Sequence, residues 1–124
     1  MKVAFSPIYR YEQLPDGHRF PMEKYTLLPQ LLLHDGTLVE ANFFHPEPLT
    51  KAQVLRTHSI EFWDKLHRND LSKSEIRAMG FPFHEKLVWR ALHIANGSLQ
   101  CARYAIDDGV SLNIAGGTHH SYAD

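Results

Sequence analysis

Short apolar runs separated by longer stretches of helical periodicity set the organisation of this chain. Lys2 to Phe5 reads as a first strand, ended by Pro7 and followed by an aromatic loop around Tyr9 and Tyr11 and a turn at Pro15-Asp16-Gly17. Leu27, Leu28, Leu31 and Leu32 recur at helical spacing after Pro21, a proline suited to a first helical turn, and Gly36 is placed to cap the end. Pro29 interrupts that helix and is expected to kink or restart it. Thr37 to Phe44 reads as a second strand through Leu38, Val39, Phe43 and Phe44.

Two capping-box signatures follow, Thr50 with Gln53 and Ser72 with Glu75. Between them Ser59 opens a helix with Ile60, Trp63 and Leu66 on one side, expected to face the core. Gly80 and Pro82 end the helix that Ser72 begins. The longest helical pattern runs from about His84 to Ile106, with Leu87, Val88, Ala91, Leu92, Ala95, Leu99, Ala102 and Ile106 at its apolar positions. Trp63 and Trp89 both read as core. Asp107-Asp108-Gly109 then leads into a third strand, Val110 to Ala115, which opens into Gly116-Gly117-Thr118-His119-His120. Strand, helix, strand, several helices and strand in this order predict an α/β fold with a mostly parallel sheet covered by helices.

Composition narrows the classes. The 124 residues are 44% hydrophobic and 22% charged, enough for one domain, residues 1–124, with a substantial core. Thirteen basic against fourteen acidic residues leave a net charge of -1, which supplies no electrostatic footprint for nucleic acid or an anionic membrane. No apolar stretch reaches spanning length and the first residues lack a signal-peptide core, so a cytoplasmic location is expected. Cys101 has no second cysteine to pair with and reads as a small buried apolar residue.

The candidate chemistry sits at the third strand. Two glycines let the backbone turn and approach a ligand closely, and two imidazoles beyond the carboxyl end of a strand lie where open α/β sheets gather their sites. Taken alone, adjacent histidines near a terminus are more often solvated, and Arg19 reads as an exposed loop cation. His18, His34, His45, His67, His84 and His93 show no ligand spacing on a common helix face, and His58 precedes a helix start as a capping or packing group.

Several segments taken together alter that balance. Ser6-Pro7-Ile8-Tyr9, His18-Arg19-Phe20-Pro21-Met22, Thr57-His58-Ser59-Ile60-Glu61-Phe62, Ala95-Asn96-Gly97-Ser98 and Ala115-Gly116-Gly117-Thr118-His119-His120 resemble, in this order, the first part of the histone deacetylase superfamily, nearest its bacterial deacetylase and acetoin-utilisation branch. The resemblance implies the N-terminal part of a three-layer arginase/deacetylase-like fold, with the first strand flanked by the second and third. It implies metal-dependent hydrolysis of an acetyl amide, such as acetyl-lysine or an acetylated small amine. His119 and His120 match the paired catalytic histidines, and Arg19, Gly116 and Gly117 match positions along the substrate and product channel, with Tyr9 and Phe20 helping to shape that interior.

Zinc, or another divalent metal, is the implied cofactor, but the family's Asp-x-His ligands, its later aspartate and its carbonyl-polarising tyrosine have no match in the chain. No metal ligand is therefore assigned, and the isolated chain is expected to be inactive. Around Gly80 to Pro82 there is no acidic match to the aspartate with which some eukaryotic members grip a peptide, which leaves acetylated small amines open as substrates. The alternative is a non-catalytic α/β domain of the same fold that acts through binding. In either case the Val110–Ala115 strand is expected to leave a sheet edge open to self-association or to a companion chain.

Overall fold

The computed structural model describes residues 1–116 and is an α/β domain with a three-stranded parallel sheet. The strands β1 (Lys2–Ala4), β2 (Phe43–Phe44) and β3 (Ser111–Asn113) are arranged in the order β2-β1-β3. Val3 lies opposite both Phe43 and Leu112, so β1 is central and fixes the register of its neighbours. This is the order expected from the resemblance. Hydrogen bonds from Phe5 N to Phe44 O (3.0 Å) and from Ile114 N to Ala4 O (3.1 Å) extend the ladders beyond the strands proper.

Five α-helices complete the described residues: α1 (Lys24–His34), α2 (Lys51–Val54), α3 (Ile60–Arg68), α4 (Lys73–Met79) and α5 (Glu85–Asp108). Their ends follow the side-chain chemistry read from the sequence. Thr50, Ser59 and Ser72 each accept a hydrogen bond from the backbone N–H three residues on, supplying an acceptor to a donor that the helix leaves unpaired. The reciprocal bonds of both capping boxes are present. His84 caps α5, and Gly109 ends it at φ 79°, a left-handed conformation that a side chain resists. Pro29 lies inside α1 without dividing it into two helices, and its ring is buried.

The capping box of α4 carries a pH dependence. Lys65 Nζ donates to Glu75 Oε1 at 2.8 Å and the backbone N–H of Ser72 donates to Oε2 at 2.6 Å. Led by the Lys65 bond and then by those from Ser72, these contacts lower the Glu75 carboxyl from its usual 4.5 to about 2. A folded-state value below the unfolded one means that the contribution is present above about pH 4.5 and is lost as pH falls toward 2. Acid titration of the Glu75 side chain and the Ser72 amide by NMR should report this loss, and Glu75→Gln should flatten the stability profile in that window. An unchanged profile in the variant would remove Glu75 as the cause.

Packing departs from the sequence pattern at four places. The face of α5 that meets the interior carries Leu87, Arg90, Ile94, Gly97 and Cys101, all buried. The predicted stripe through Ala91, Ala95, Leu99, Ala102 and Ile106 is turned roughly a third of a turn away and is largely exposed, Ile106 at 83%. Trp89, expected in the core, is 50% exposed. On α3 no residue is fully buried and Ile60 is exposed, whereas Trp63 is half-buried with its ring stacked on His67. The expected second strand from Thr37 shortens to Phe43–Phe44, because Glu40–Asn42 forms a 3-10 turn in which Asn42 Oδ1 accepts from Val39 N at 2.8 Å.

Val3 and Ala4 within β1 are fully buried, and a larger buried cluster gathers beyond the carboxyl ends of β1 and β3. Tyr9, Tyr11, Met22, Tyr25, Phe81, Leu87, Ile94 and Ala115 form one buried cluster. It is rich in aromatic rings packed edge to face, as in Tyr9 against Tyr25 and Tyr11 against Phe81. Cys101 is buried as expected, and its thiol donates to Leu112 O at 2.9 Å, tying α5 to β3. No described helix is long and apolar enough to cross a membrane.

Candidate functional site

The loops that leave β1 and β3 meet over the middle of α5. After β1 the chain turns through a 3-10 helix, Pro7–Tyr9, which buries Tyr9 completely. Proline at the start of that turn supplies a φ suited to it and removes no needed donor. The Tyr9 carbonyl accepts from Arg90 Nε at 2.6 Å, and the Arg90 guanidinium lies 5.2 Å from the centre of the Tyr25 ring. Arg90 is only 6% exposed, and its Nη2 has no hydrogen-bond partner among the described residues. Burial lowers its pKa, with Tyr25 and Tyr9 countering part of that effect.

The Tyr9 ring extends toward Gly97. A Cβ at position 97 would lie 2.6 Å from Tyr9 Oη, 2.9 Å from Asn113 Nδ2 and 3.3 Å from Ala4 Cβ, so glycine is what lets helix, turn and sheet approach here. The Tyr9 hydroxyl is buried without a hydrogen-bond partner among the described residues. Burial drives its pKa above the ordinary tyrosine range, and the neighbouring Asn113 and Arg90 offset only part of that. The Tyr9 hydroxyl is therefore neutral at physiological pH.

Asn113, the last residue of β3, joins the three parts. Its Nδ2 donates to Ile94 O at 2.9 Å and to Ser98 Oγ at 3.1 Å on α5, while its Oδ1 accepts from Ala115 N at 3.3 Å. On the far side of α5, Asn96 Nδ2 donates to Glu47 O at 2.7 Å and Leu49 N donates to Leu92 O, holding the segment after β2 along the helix. Arg90 and Asn113 went unread in the sequence because each sits where an apolar residue is the default, whereas Asn96, Gly97 and Ser98 fall in the Ala95-Asn96-Gly97-Ser98 segment that carried part of the resemblance.

The residues singled out from the sequence fall into two groups. Gly116 is exposed just beyond β3, with open space where a Cβ would be. Arg19 is exposed on the loop that precedes α1, next to Phe20, whose ring stacks on Tyr25 at 6.1 Å and meets Phe81 edge to face at 5.4 Å. Phe20 and Tyr9 therefore belong to one aromatic cluster through Tyr25. Gly117, His119 and His120 lie outside the described residues. Among the described residues, no three His, Cys, Asp or Glu side chains group as metal ligands.

No family model matches the chain. It is 32% identical over 120 residues, or 97% of its length, to an uncharacterized protein of Picosynechococcus sp., and it spans 40% of that protein's length.

Proposed function

We propose that the chain contributes the paired histidines, His119 and His120, of a metal-dependent hydrolase that cleaves an acetyl amide, within an arginase/deacetylase-like fold. The observation that carries this reading is the placement of β3: Asn113 ends it at the carboxyl edge of a parallel sheet ordered β2-β1-β3, and the chain passes through Ala115-Gly116 directly into Gly117-Thr118-His119-His120. Carboxyl edges of open parallel sheets are where ligands bind. Hydrolysis of an acetyl amide needs a proton removed from water and a proton delivered to the departing amine. Imidazole titrates near neutral pH and can serve both transfers. Among the described residues no three His, Cys, Asp or Glu side chains group to hold the implied zinc, so the contribution assigned to this chain is the proton transfer by its histidines.

The test is acetyl-amide hydrolysis with acetyl-lysine and acetyl-polyamine substrates, in the protein at the length that supports turnover. His119→Ala or His120→Ala should each lower kcat by about a hundredfold, the scale of a general acid or base, with the fold unchanged by circular dichroism. Turnover that survives both substitutions would overturn the assignment.

A second reading, binding without catalysis, is favoured by one observation. Among the described residues β3 is an edge strand, and Val110 and Leu112 are 48% and 51% exposed along it. Unpaired strand edges with apolar side chains pair readily between chains. Light scattering at micromolar concentration should then find a dimer or larger species. A species that stays monomeric at that concentration would exclude pairing through this edge.

A further inference from the structure

We infer that the outward face of α1 is a docking surface for a second copy of this chain, whose α1 packs against it antiparallel about a two-fold axis. The inference is independent of the hydrolase reading and of the β3 edge. Leu27, Leu28 and Leu31 are 60%, 39% and 57% exposed on that face. With Lys24 and Asp35, both also exposed, they fall within an arc of about 100° around the helix. The result is one stripe with leucines in the middle and a charge at each end. Lys24, Leu27, Leu28, Gln30, Leu31 and His34 border a shallow depression of about 560 Å³ along it. Tyr25 and Pro29 are buried on the inner side, so the helix is anchored there and open outward.

The charges at the two ends name the occupant. Lys24 opens the helix and Asp35 caps its end, each at the terminus where the helix dipole disfavours its sign. Neither has an ion-pair partner among the described residues. Lys24 Nζ lies over the Phe20 and Tyr25 rings at 4.6 and 5.1 Å, and Asp35 Oδ1 accepts from the Thr37 hydroxyl at 3.3 Å. A copy of the same helix laid antiparallel corrects both mismatches. The register that sets Leu28 opposite the partner's Leu31 also sets Lys24 opposite the partner's Asp35, and two-fold symmetry repeats each contact. Each lysine then lies beside the negative end of the other helix. A parallel copy would stack lysine on lysine and leave both mismatches in place. The eleven residues of α1 span about 16 Å, so the contact is smaller than a standard interface and the dimer is weak, with a Kd on the order of 100 µM.

Sedimentation velocity of the 124-residue chain from about 10 µM to about 1 mM should show a reversible monomer–dimer equilibrium. Leu31→Glu should weaken it at least about tenfold, because a carboxylate then faces the partner's Leu28. At so exposed a position the variant should keep the circular dichroism spectrum and urea midpoint of the wild type. Lys24→Glu and Asp35→Lys should each weaken self-association about tenfold at low salt, since each homodimer then meets like charges twice. Mixed in equal amounts, the two variants present opposite charges at both contacts, and their heterodimer should form within about threefold of wild-type affinity. Association through β3 would leave both charge variants unaffected, so this exchange separates the two surfaces. A chain that stays monomeric up to about 1 mM would overturn the inference and leave the face to a different partner or to further residues of a longer protein. So would self-association that survives Leu31→Glu, charge variants that dimerise like wild type, or weakened charge variants that mixing does not restore.

Discussion

Gly97→Val is expected to destabilise the domain by about 3 kcal/mol or more, the upper end of overpacking costs for a single substitution. The first added carbon already meets Tyr9 Oη at 2.6 Å and Asn113 Nδ2 at 2.9 Å, inside any ordinary contact. Neither neighbour moves freely. Tyr9 is fully buried, its carbonyl is held by Arg90, and its ring is wedged edge to face between Phe5 and Tyr25. Gly97→Ala poses a finer balance, because alanine gains about 1 kcal/mol of helix propensity while the clash costs roughly 1–3 kcal/mol. A net loss near 1 kcal/mol is expected in urea denaturation.

Tyr9→Phe isolates the cause. It removes the atom nearest the added carbon, and since that hydroxyl is buried without a hydrogen-bond partner among the described residues, its loss should be close to neutral. In the double variant Tyr9→Phe, Gly97→Ala, half or more of the alanine penalty should disappear, a coupling that a double-mutant cycle reads directly. Strict additivity would show that the obstacle at Gly97 is not the tyrosine oxygen.

Arg90 separates charge from packing. Arg90→Ala leaves the Tyr9 carbonyl without its donor, strips a cation from the Tyr25 ring and opens a void in the buried face of α5. A loss of about 3–4 kcal/mol is expected from the unpaired carbonyl and the cavity together. Arg90→Met removes the same hydrogen bond but keeps most of the volume, and it relieves the desolvation of a guanidinium whose Nη2 has no partner among the described residues. Its loss should be less than half that of alanine. Arg90→Lys keeps the charge without the planar fork and should fall between them. If methionine proves as damaging as alanine, the carbonyl bond and not the packing dominates at this position.

The chain's own pattern determined most of its local structure. Thr50, Ser59 and Ser72 bring a side-chain oxygen to an N–H three residues on, and Gly80 and Gly109 accept left-handed conformations, so helix ends follow from residues within one turn. Three short apolar runs separated by helices likewise implied a parallel sheet, since each crossover returns the chain in the same direction. The Gly-Gly-x-His-His segment was read from the sequence alone, and Gly117, His119 and His120 lie outside the described residues.

What only the tertiary structure decided is which face of a helix is inside and which polar groups are buried there. On α5 the sequence carries two apolar-reading faces, and the one through Ala91, Ala95, Leu99 and Ile106 is the more uniformly apolar. The sheet instead selects the face with Arg90, Gly97 and Cys101, because close approach to β1 and β3 requires the missing side chain of Gly97 and because the Tyr9 carbonyl and Leu112 carbonyl need donors. Asn113 and Asn96 are fixed by the same kind of demand, carbonyls at Ile94 and Glu47 separated from them in sequence by 19 and 49 positions. Periodicity records how apolar a face is; it holds no information about a backbone carbonyl that arrives from another part of the chain and must be paired once water is excluded.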